Sequence, residues 1–169
     1  MIDGDNGLCG ETLDSRFRVE CCIGRGGMGV VWRVRHIQTN QPFALKTLRH
    51  AAPHNKQVLR RLLHEARATA AVQSRNVVRI VDVKPDYVHK GTDLPFIVME
   101  LLEGQSFADY LDTKGPIEPP ELLWIMRQVC HGLMLAHERG IVHRDLKPLP
   151  SGTRGLGRLV SSILCSRSE

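Results

Sequence analysis

The stretch Gly24-Arg25-Gly26-Gly27-Met28-Gly29-Val30-Val31 decides the fold, because its glycines separate two segments of strand character. Residues 17–23 alternate imperfectly before it, and residues 30–35 resume an extended pattern. Glycine lets the backbone turn sharply and approach phosphate oxygens without a Cβ in the way. Dinucleotide-binding turns share this glycine spacing, but they lead from a strand into a helix. From this stretch alone, an ordinary glycine hairpin and a phosphate-binding hairpin are both open.

Outward from the glycines, the chain is predicted to continue as three more strands and one amphipathic helix. A polar turn at residues 38–42 leads to a third strand at 43–48, and two further strands are expected at 77–83 and 96–101. Between the third and fourth strands, residues 56–73 carry apolar side chains at helical spacing, with basic residues around the rest of the helix. The apolar positions are Leu59, Leu62, Leu63, Ala66 and Ala70.

From residue 106 the pattern becomes helical, with a short helix to about residue 111 and a longer one over 120–139. One face of the longer helix is apolar and is expected to be buried. If it were left uncovered, it would favour association or poor solubility. The residues of this predicted face are Leu122, Met126, Val129, Leu133 and Ala136.

Composition fits one soluble globular domain of 169 residues, with 42% hydrophobic and 24% charged residues. No apolar run approaches the roughly 18 residues of a membrane helix, and no signal peptide opens the chain, so we expect a cytoplasmic location. The five cysteines form no C-x-x-C pair, which indicates neither a zinc site nor a disulfide framework. The net charge of +5 comes partly from residues 49–67, where no aromatic side chain is available for base stacking. We therefore expect a solvated helix face there and no nucleic-acid partner.

Lys46 is chemically informative because it interrupts an apolar strand, where an ammonium needs anions around it. ATP phosphates and a carboxylate would meet that need. Glu65, on the basic amphipathic helix, is a suitable carboxylate, and such a pair would hold the lysine against the α and β phosphates. Without other evidence, the residues alone favour Glu65 as a surface residue paired with Arg61 at i−4.

Residues 143–148 read His-Arg-Asp-Leu-Lys-Pro, and with them the chain resembles the protein kinase family, specifically the serine/threonine kinases that bacteria share with eukaryotes. The family's glycine loop, strand lysine, helix glutamate, hinge and catalytic loop match in order. The matching residues are 24–31, 43–46, Glu65, 98–100 and 143–148.

The resemblance covers residues 17–148 and implies an α+β, protein-kinase-like fold. We expect a five-stranded antiparallel small lobe with one helix, followed by an incomplete helical large lobe. The domain organisation predicted on this basis is a flexible leader at 1–15, the small lobe and hinge at 16–103, the start of the large lobe at 104–148, and a disordered tail without family character at 149–169.

The resemblance also implies roles for individual residues in binding ATP and phosphorylating serine or threonine hydroxyls of a protein substrate. Asp145 resembles the catalytic base, while Lys147 and Lys46 resemble groups that neutralise phosphate charge. Met99 would be the gatekeeper, and the Glu100 carbonyl and Leu102 amide would hydrogen-bond adenine. The full set implied to bind ATP is Ile23, Gly24, Gly26, Gly29, Val31, Ala44, Lys46, Glu65, Met99, Glu100 and Leu102.

The sequence departs from the family immediately after the catalytic loop. Pro150 stands where the complete family has a metal-binding asparagine, and residues 149–169 contain no aspartate that could hold Mg²⁺. We therefore expect no metal ligands and little or no turnover from this truncated chain. A frameshift or gene-model error near codon 149 and a natural fragment both explain the departure. The alternative function is a pseudokinase-like fragment that binds nucleotide or another protein.

Overall fold

The structure, a computed structural model, describes residues 7–26, 29–48, 66, 70, 72, 74–103 and 107–141. The chain divides into two compact units. The first comprises Met1–Arg60 and Val81–Leu101, and the second comprises Arg61–Ile80 and Leu102–Glu169.

The first unit is built on a six-stranded sheet whose strand order is β1-β2-β3-β4-β8-β5, with a separate two-stranded ribbon formed by β6 and β7. The pairs from β1 through β4 to β8 are antiparallel. The strands are β1 (Thr12–Leu13), β2 (Phe17–Gly26), β3 (Gly29–His36), β4 (Pro42–Leu48), β5 (Ile80–Lys84), β6 (Val88–His89), β7 (Thr92–Asp93) and β8 (Phe96–Glu100).

All five strands predicted from the sequence are present, as β2, β3, β4, β5 and β8, and β1, which the sequence did not predict, joins the sheet beside β2 as a sixth strand. Two boundaries differ by three residues: β2 continues to Gly26 whereas the sequence predicted its end at residue 23, and β5 begins at Ile80 whereas the sequence predicted residue 77. The Asn76 amide donates to the Ser74 hydroxyl at 3.1 Å, and the Val77 amide donates to the Ser74 carbonyl at 3.2 Å. These bonds form a turn, so valines 77 and 78 are buried without belonging to the strand.

One face of the sheet carries the core of the first unit. Alternate residues of a strand share one face, so Trp32 and Val34 of β3 both belong to this core, as do Phe96 and Val98 of β8. Phe17 is 1% exposed and packs edge-to-face with Phe43. The other buried members of this core are Leu8, Leu13, Val19, Leu45 and Leu94.

Residues 7–16 are packed against the sheet, although the sequence predicted a loose leader over residues 1–15. Leu8 is 3% exposed and Leu13 is fully buried, and β1 pairs with β2. Arg16, which directly precedes β2, forms an ion pair with Asp82 of β5 at 2.8 Å. Because β2 and β5 lie toward opposite edges of the sheet, this ion pair requires the sheet to curl.

The second unit contains two described helices, α1 (Phe107–Lys114) and α2 (Pro119–His137), close to the predicted bounds. Glu118 is extended before α2, and proline occupies the first helical turn, where no amide hydrogen is needed. Ala66 and Ala70 are helical, and the rest of the helix predicted over 56–73 lies almost entirely outside the described residues, as does the predicted tail. No helix in the described part of the chain is long and apolar enough to cross a membrane.

The buried face of α2 differs from the predicted one. Leu122 and Met126 were expected inside, but they are 39% and 46% exposed. A Cβ on Gly132 would lie 3.1 Å from the Asn76 carbonyl oxygen, so the helix approaches the 76–77 segment most closely along its glycine side. That close approach rotates the buried stripe away from Leu122. The stripe consists of Ile125, Val129, Gly132 and Ala136.

Candidate nucleotide-binding site

The glycine stretch is a hairpin between two strands. Gly24 pairs with Val31 and Gly26 pairs with Gly29, so the ladder continues to the tip, where residues 27 and 28 lie outside the described part. Gly29 has a φ of 155°, a backbone conformation that glycine adopts more readily than residues with a Cβ. Because a strand follows the glycines, the dinucleotide-binding alternative is excluded.

Two bulges shape β2 just before the hairpin. The register with β3 shifts between Val19 and Cys21 and again between Cys22 and Gly24, which leaves Ile23 as an extra residue beside the glycines. A bulge bends its strand and re-aims the neighbouring side chains, often next to a functional site. The sequence showed these bulges only as imperfect alternation over residues 17–23.

The sheet register aligns several predicted site residues on the face opposite the core. Val31 of β3 pairs with Lys46 of β4, which pairs in turn with Ile97 of β8. In the neighbouring row, Ala44 pairs with Met99. Since directly paired residues and alternate residues of one strand share a face, these five side chains lie on the same side of the sheet.

Lys46 is half-buried on this face, and burial lowers the pKa of its ammonium group. Within the described ranges, the side chain of Lys46 has no hydrogen-bond or ion-pair partner. By comparison, Lys84 lies 2.9 Å from Asp14 and Lys90 lies 2.6 Å from Glu11. Lys46 is thus a desolvated cation whose environment favours the approach of an anion.

Directly behind Lys46, the core face holds a buried hydrogen-bond network that the sequence analysis missed. The Trp32 indole donates to the Thr47 hydroxyl at 3.0 Å, and that hydroxyl donates to the Val30 carbonyl at 3.2 Å. Thr47 is 5% exposed, so its hydroxyl is largely shielded from bulk water. A threonine in an apolar strand with a tryptophan on the preceding strand was the available signal.

Of the remaining predicted site residues, two are described by the structure and three are not. Glu100 ends β8 and pairs with Phe43, and Leu102 follows in the irregular segment that opens the second unit. Glu65, Asp145 and Lys147 lie outside the described residues. Within the described ranges, no group of three or more histidine, cysteine, aspartate or glutamate side chains could hold a metal ion.

An antiparallel sheet with a glycine hairpin beside a desolvated strand lysine is the arrangement expected of the small lobe of a protein kinase. Residues 17–149 match the protein kinase domain family. The chain belongs to the protein kinase family, and by family it is a transferase.

Curated relatives agree with this assignment. The chain is 38% identical over 136 residues to the serine/threonine-protein kinase PknL of Mycobacterium tuberculosis, covering 80% of this chain and 33% of the relative. It is 33% identical over 141 residues to the serine/threonine-protein kinase PrkC of Bacillus subtilis, covering 83% of this chain and 21% of that protein. The chain thus spans about a third or less of these relatives' length. The predicted resemblance to bacterial serine/threonine kinases is confirmed.

The fold of the chain also matches a solved structure, and this match confirms the predicted protein-kinase-like α+β fold. The chain superimposes on the kinase domain of Mycobacterium tuberculosis PknI with a TM-score of 0.68 and 26% sequence identity. This match covers 82% of the present chain and 54% of the PknI domain.

Proposed function

We propose that this chain binds ATP on the Lys46 face of its sheet and is the nucleotide-binding part of a serine/threonine protein kinase. In its complete form such a kinase would transfer the γ-phosphoryl group of ATP to serine or threonine hydroxyls of proteins. One observation carries the proposal. Lys46 is a half-buried lysine with a lowered pKa, opposite the core and one strand from the glycine hairpin.

The electrostatics of Lys46 favour a polyanionic ligand. Desolvation disfavours its charged form, and a phosphate group would offset that cost by direct charge-assisted hydrogen bonding. The paired glycines Gly24, Gly26 and Gly29 have no Cβ, so phosphate oxygens could approach their backbone. The sheet thereby offers both parts of a phosphate site in one unit.

The neighbouring row on the same face suits a flat apolar ring. Ala44 is 6% exposed and pairs with Met99, and Val31 lies one strand away beside Lys46. In our proposal, Ile23, Val31 and Ala44 contact adenine, and Met99 limits the depth of the pocket. The Glu100 carbonyl and Leu102 amide would hydrogen-bond the ring, and Glu65 would hold Lys46.

The chemistry beyond binding is proposed to be weak in this chain. Asp145 would orient and deprotonate the substrate hydroxyl, and Lys147 would neutralise phosphoryl charge. The residues present do not fit a protein-held Mg²⁺ ion, because Pro150 has no side-chain oxygen and residues 149–169 contain no aspartate. Losing the metal ligands removes several kcal/mol of transition-state stabilisation, about a thousandfold or more in rate.

Calorimetric titration with ATP tests the proposal. We expect the parent chain to bind ATP and the Lys46→Met variant to bind at least about tenfold more weakly, the usual effect of removing a charge-assisted bond. Lys90→Met is the matched control, because that lysine belongs to the same unit but is 69% exposed and pairs with Glu11. Equal affinity of the parent and Lys46→Met would overturn the proposal.

The second candidate function is a pseudokinase-like fragment that binds nucleotide or another protein without catalysis. Pro150, which replaces the metal-binding asparagine of the family, and the lack of aspartate within residues 149–169 favour it. Measuring phosphate transfer from labelled ATP to a generic basic protein separates the two candidates. Incorporation that disappears in Asp145→Asn supports the enzyme, and ATP binding without incorporation supports the fragment.

A further inference from the structure

We infer that Trp32 and Thr47 are positioning residues that fix Lys46 and Val31 from the opposite side of the sheet. This inference rests on the proposed ATP site. It adds two residues that would act on nucleotide binding without contacting the nucleotide.

The positioning network crosses the β3–β4 pair twice. The indole nitrogen of Trp32, a donor only, lies 3.0 Å from the Thr47 hydroxyl oxygen, which accepts. The hydroxyl proton is directed to the Val30 carbonyl oxygen on β3, at 3.2 Å. Trp32 and Thr47 are 4% and 5% exposed, so both polar groups are largely shielded from solvent and depend on each other as partners.

The register places this network around the Lys46 pair. Val30 pairs with Thr47, Val31 pairs with Lys46, and Trp32 pairs with Leu45. The network therefore joins the residues on either side of Val31 to the residue after Lys46. Since successive side chains point to opposite faces, the network occupies the core face while Val31 and Lys46 occupy the other.

The consequence for Lys46 is geometric. Any slip or twist of β4 against β3 at this point stretches both hydrogen bonds, and a buried indole left without an acceptor is costly. The two bonds therefore restrict the relative position of the Val31 and Lys46 backbones. A flexible lysine side chain reaches a phosphate reproducibly only when its backbone is held in this way.

The test compares affinity with stability in four variants. Thr47→Val removes the hydroxyl at nearly constant volume, Thr47→Ser keeps it, and Trp32→Phe removes the donor at the other end. Val34→Ala is the matched control, because Val34 is fully buried in the same core but lies outside the network. Dissociation constants for ATP are measured calorimetrically below every variant's melting temperature, which is determined in parallel.

We expect Thr47→Val and Trp32→Phe to weaken ATP binding about threefold to tenfold, and Thr47→Ser to bind within about twofold of the parent. Val34→Ala should lower the melting temperature at least as much while keeping the parent's affinity. Parent-like affinity in Thr47→Val and Trp32→Phe, or an equal loss in Val34→Ala, would overturn the inference while leaving the proposed function intact. A parent chain that does not bind ATP would overturn both.

Discussion

At the scale of single residues, Lys46 combines three properties: its place in an apolar strand, its pairing with Val31 and its lowered pKa. The apolar strand around it was sufficient to predict that its ammonium needs an anion. The pairing with Val31 and the lowered pKa depend on the register and on burial, which no local pattern specifies.

A pH-dependent stability difference follows from the lowered pKa of Lys46. The folded-state pKa lies below the unfolded value of about 10.4, so the charged lysine destabilises the folded chain at neutral pH. That cost decreases as pH rises through the folded-state pKa. We therefore expect Lys46→Met to be more stable than the parent at neutral pH, by a margin that narrows as pH approaches about 10.4.

Urea denaturation of the ligand-free parent and Lys46→Met across this pH range measures the difference. Lys90→Met, at an exposed position, should show no such pH-dependent gain. A stability difference that widens toward alkaline pH would contradict the assignment of a desolvated Lys46.

At the scale of structural elements, the segment of residues 7–16 is the feature that the sequence represented least well. Only two leucines, at positions 8 and 13, mark it as buried, and its polar composition resembled a loose leader. Its stabilising partners lie far along the chain. The Asp14 amide donates to the Tyr87 hydroxyl at 2.8 Å, and Lys84 contacts Asp14 at 2.9 Å. Such long-range contacts leave no periodic signal.

Leu13→Ala should therefore lower the free energy of unfolding by about 2 to 4 kcal/mol, the range for truncating a fully buried leucine. Val88→Ala is the control, because Val88 is 53% exposed and should cost less than about 0.5 kcal/mol. Chemical denaturation gives both values. Equal and small losses in the two variants would show that residues 7–16 contribute little to the fold.

Helix α2 shows which part of a helix a sequence pattern predicts well. Its existence and approximate bounds followed from the helical pattern over residues 120–139, but its buried face did not. Val129 and Ala136 belong to both the predicted and observed stripes, whereas Gly132 has no apolar side chain and so adds nothing to an apolar pattern. Close packing at Gly132, where the hydrogen bond between Asn76 and His131 also lies at 3.1 Å, decides the rotation.

Gly132→Ala should consequently destabilise the chain, although alanine favours helices by about 1 kcal/mol over glycine. The added Cβ would lie 3.1 Å from the Asn76 carbonyl oxygen, and we expect a net loss of about 1 to 3 kcal/mol from overpacking. Met134→Ala, at a site 49% exposed, is the comparison on the same helix. Thermal unfolding that shows stabilisation by Gly132→Ala would exclude the close contact.

At the scale of the whole molecule, the order of motifs was the strongest predictor. Five matches in sequence order predicted the family, which the match of residues 17–149 confirms. The predicted roles of Glu65, Asp145 and Lys147 are still predictions, because these residues lie outside the described part. The exposed side chains of α2 could not be predicted, since they depend on how the helix packs.

Self-association is expected from those exposed apolar side chains. Leu123 is 70% exposed and Trp124 is 64% exposed, on the same helix as Leu122, Met126 and Met134. Large exposed apolar side chains on one helix favour contact between copies. Sedimentation should show a mass that increases with concentration, and Leu123→Glu combined with Trp124→Glu should reduce it. A single species at all concentrations would contradict this expectation.

The central claim is that ATP binds at Lys46, and covalent labelling with an acyl-phosphate derivative of ATP tests it most directly. Such a reagent acylates a lysine amine held beside the bound phosphates, and the lowered pKa of Lys46 increases its reactive, uncharged fraction. We predict that mass spectrometry will find Lys46 modified in preference to Lys84, Lys90 and Lys114, and that excess ATP will block the modification. Labelling spread over the exposed lysines and unaffected by ATP would contradict the account.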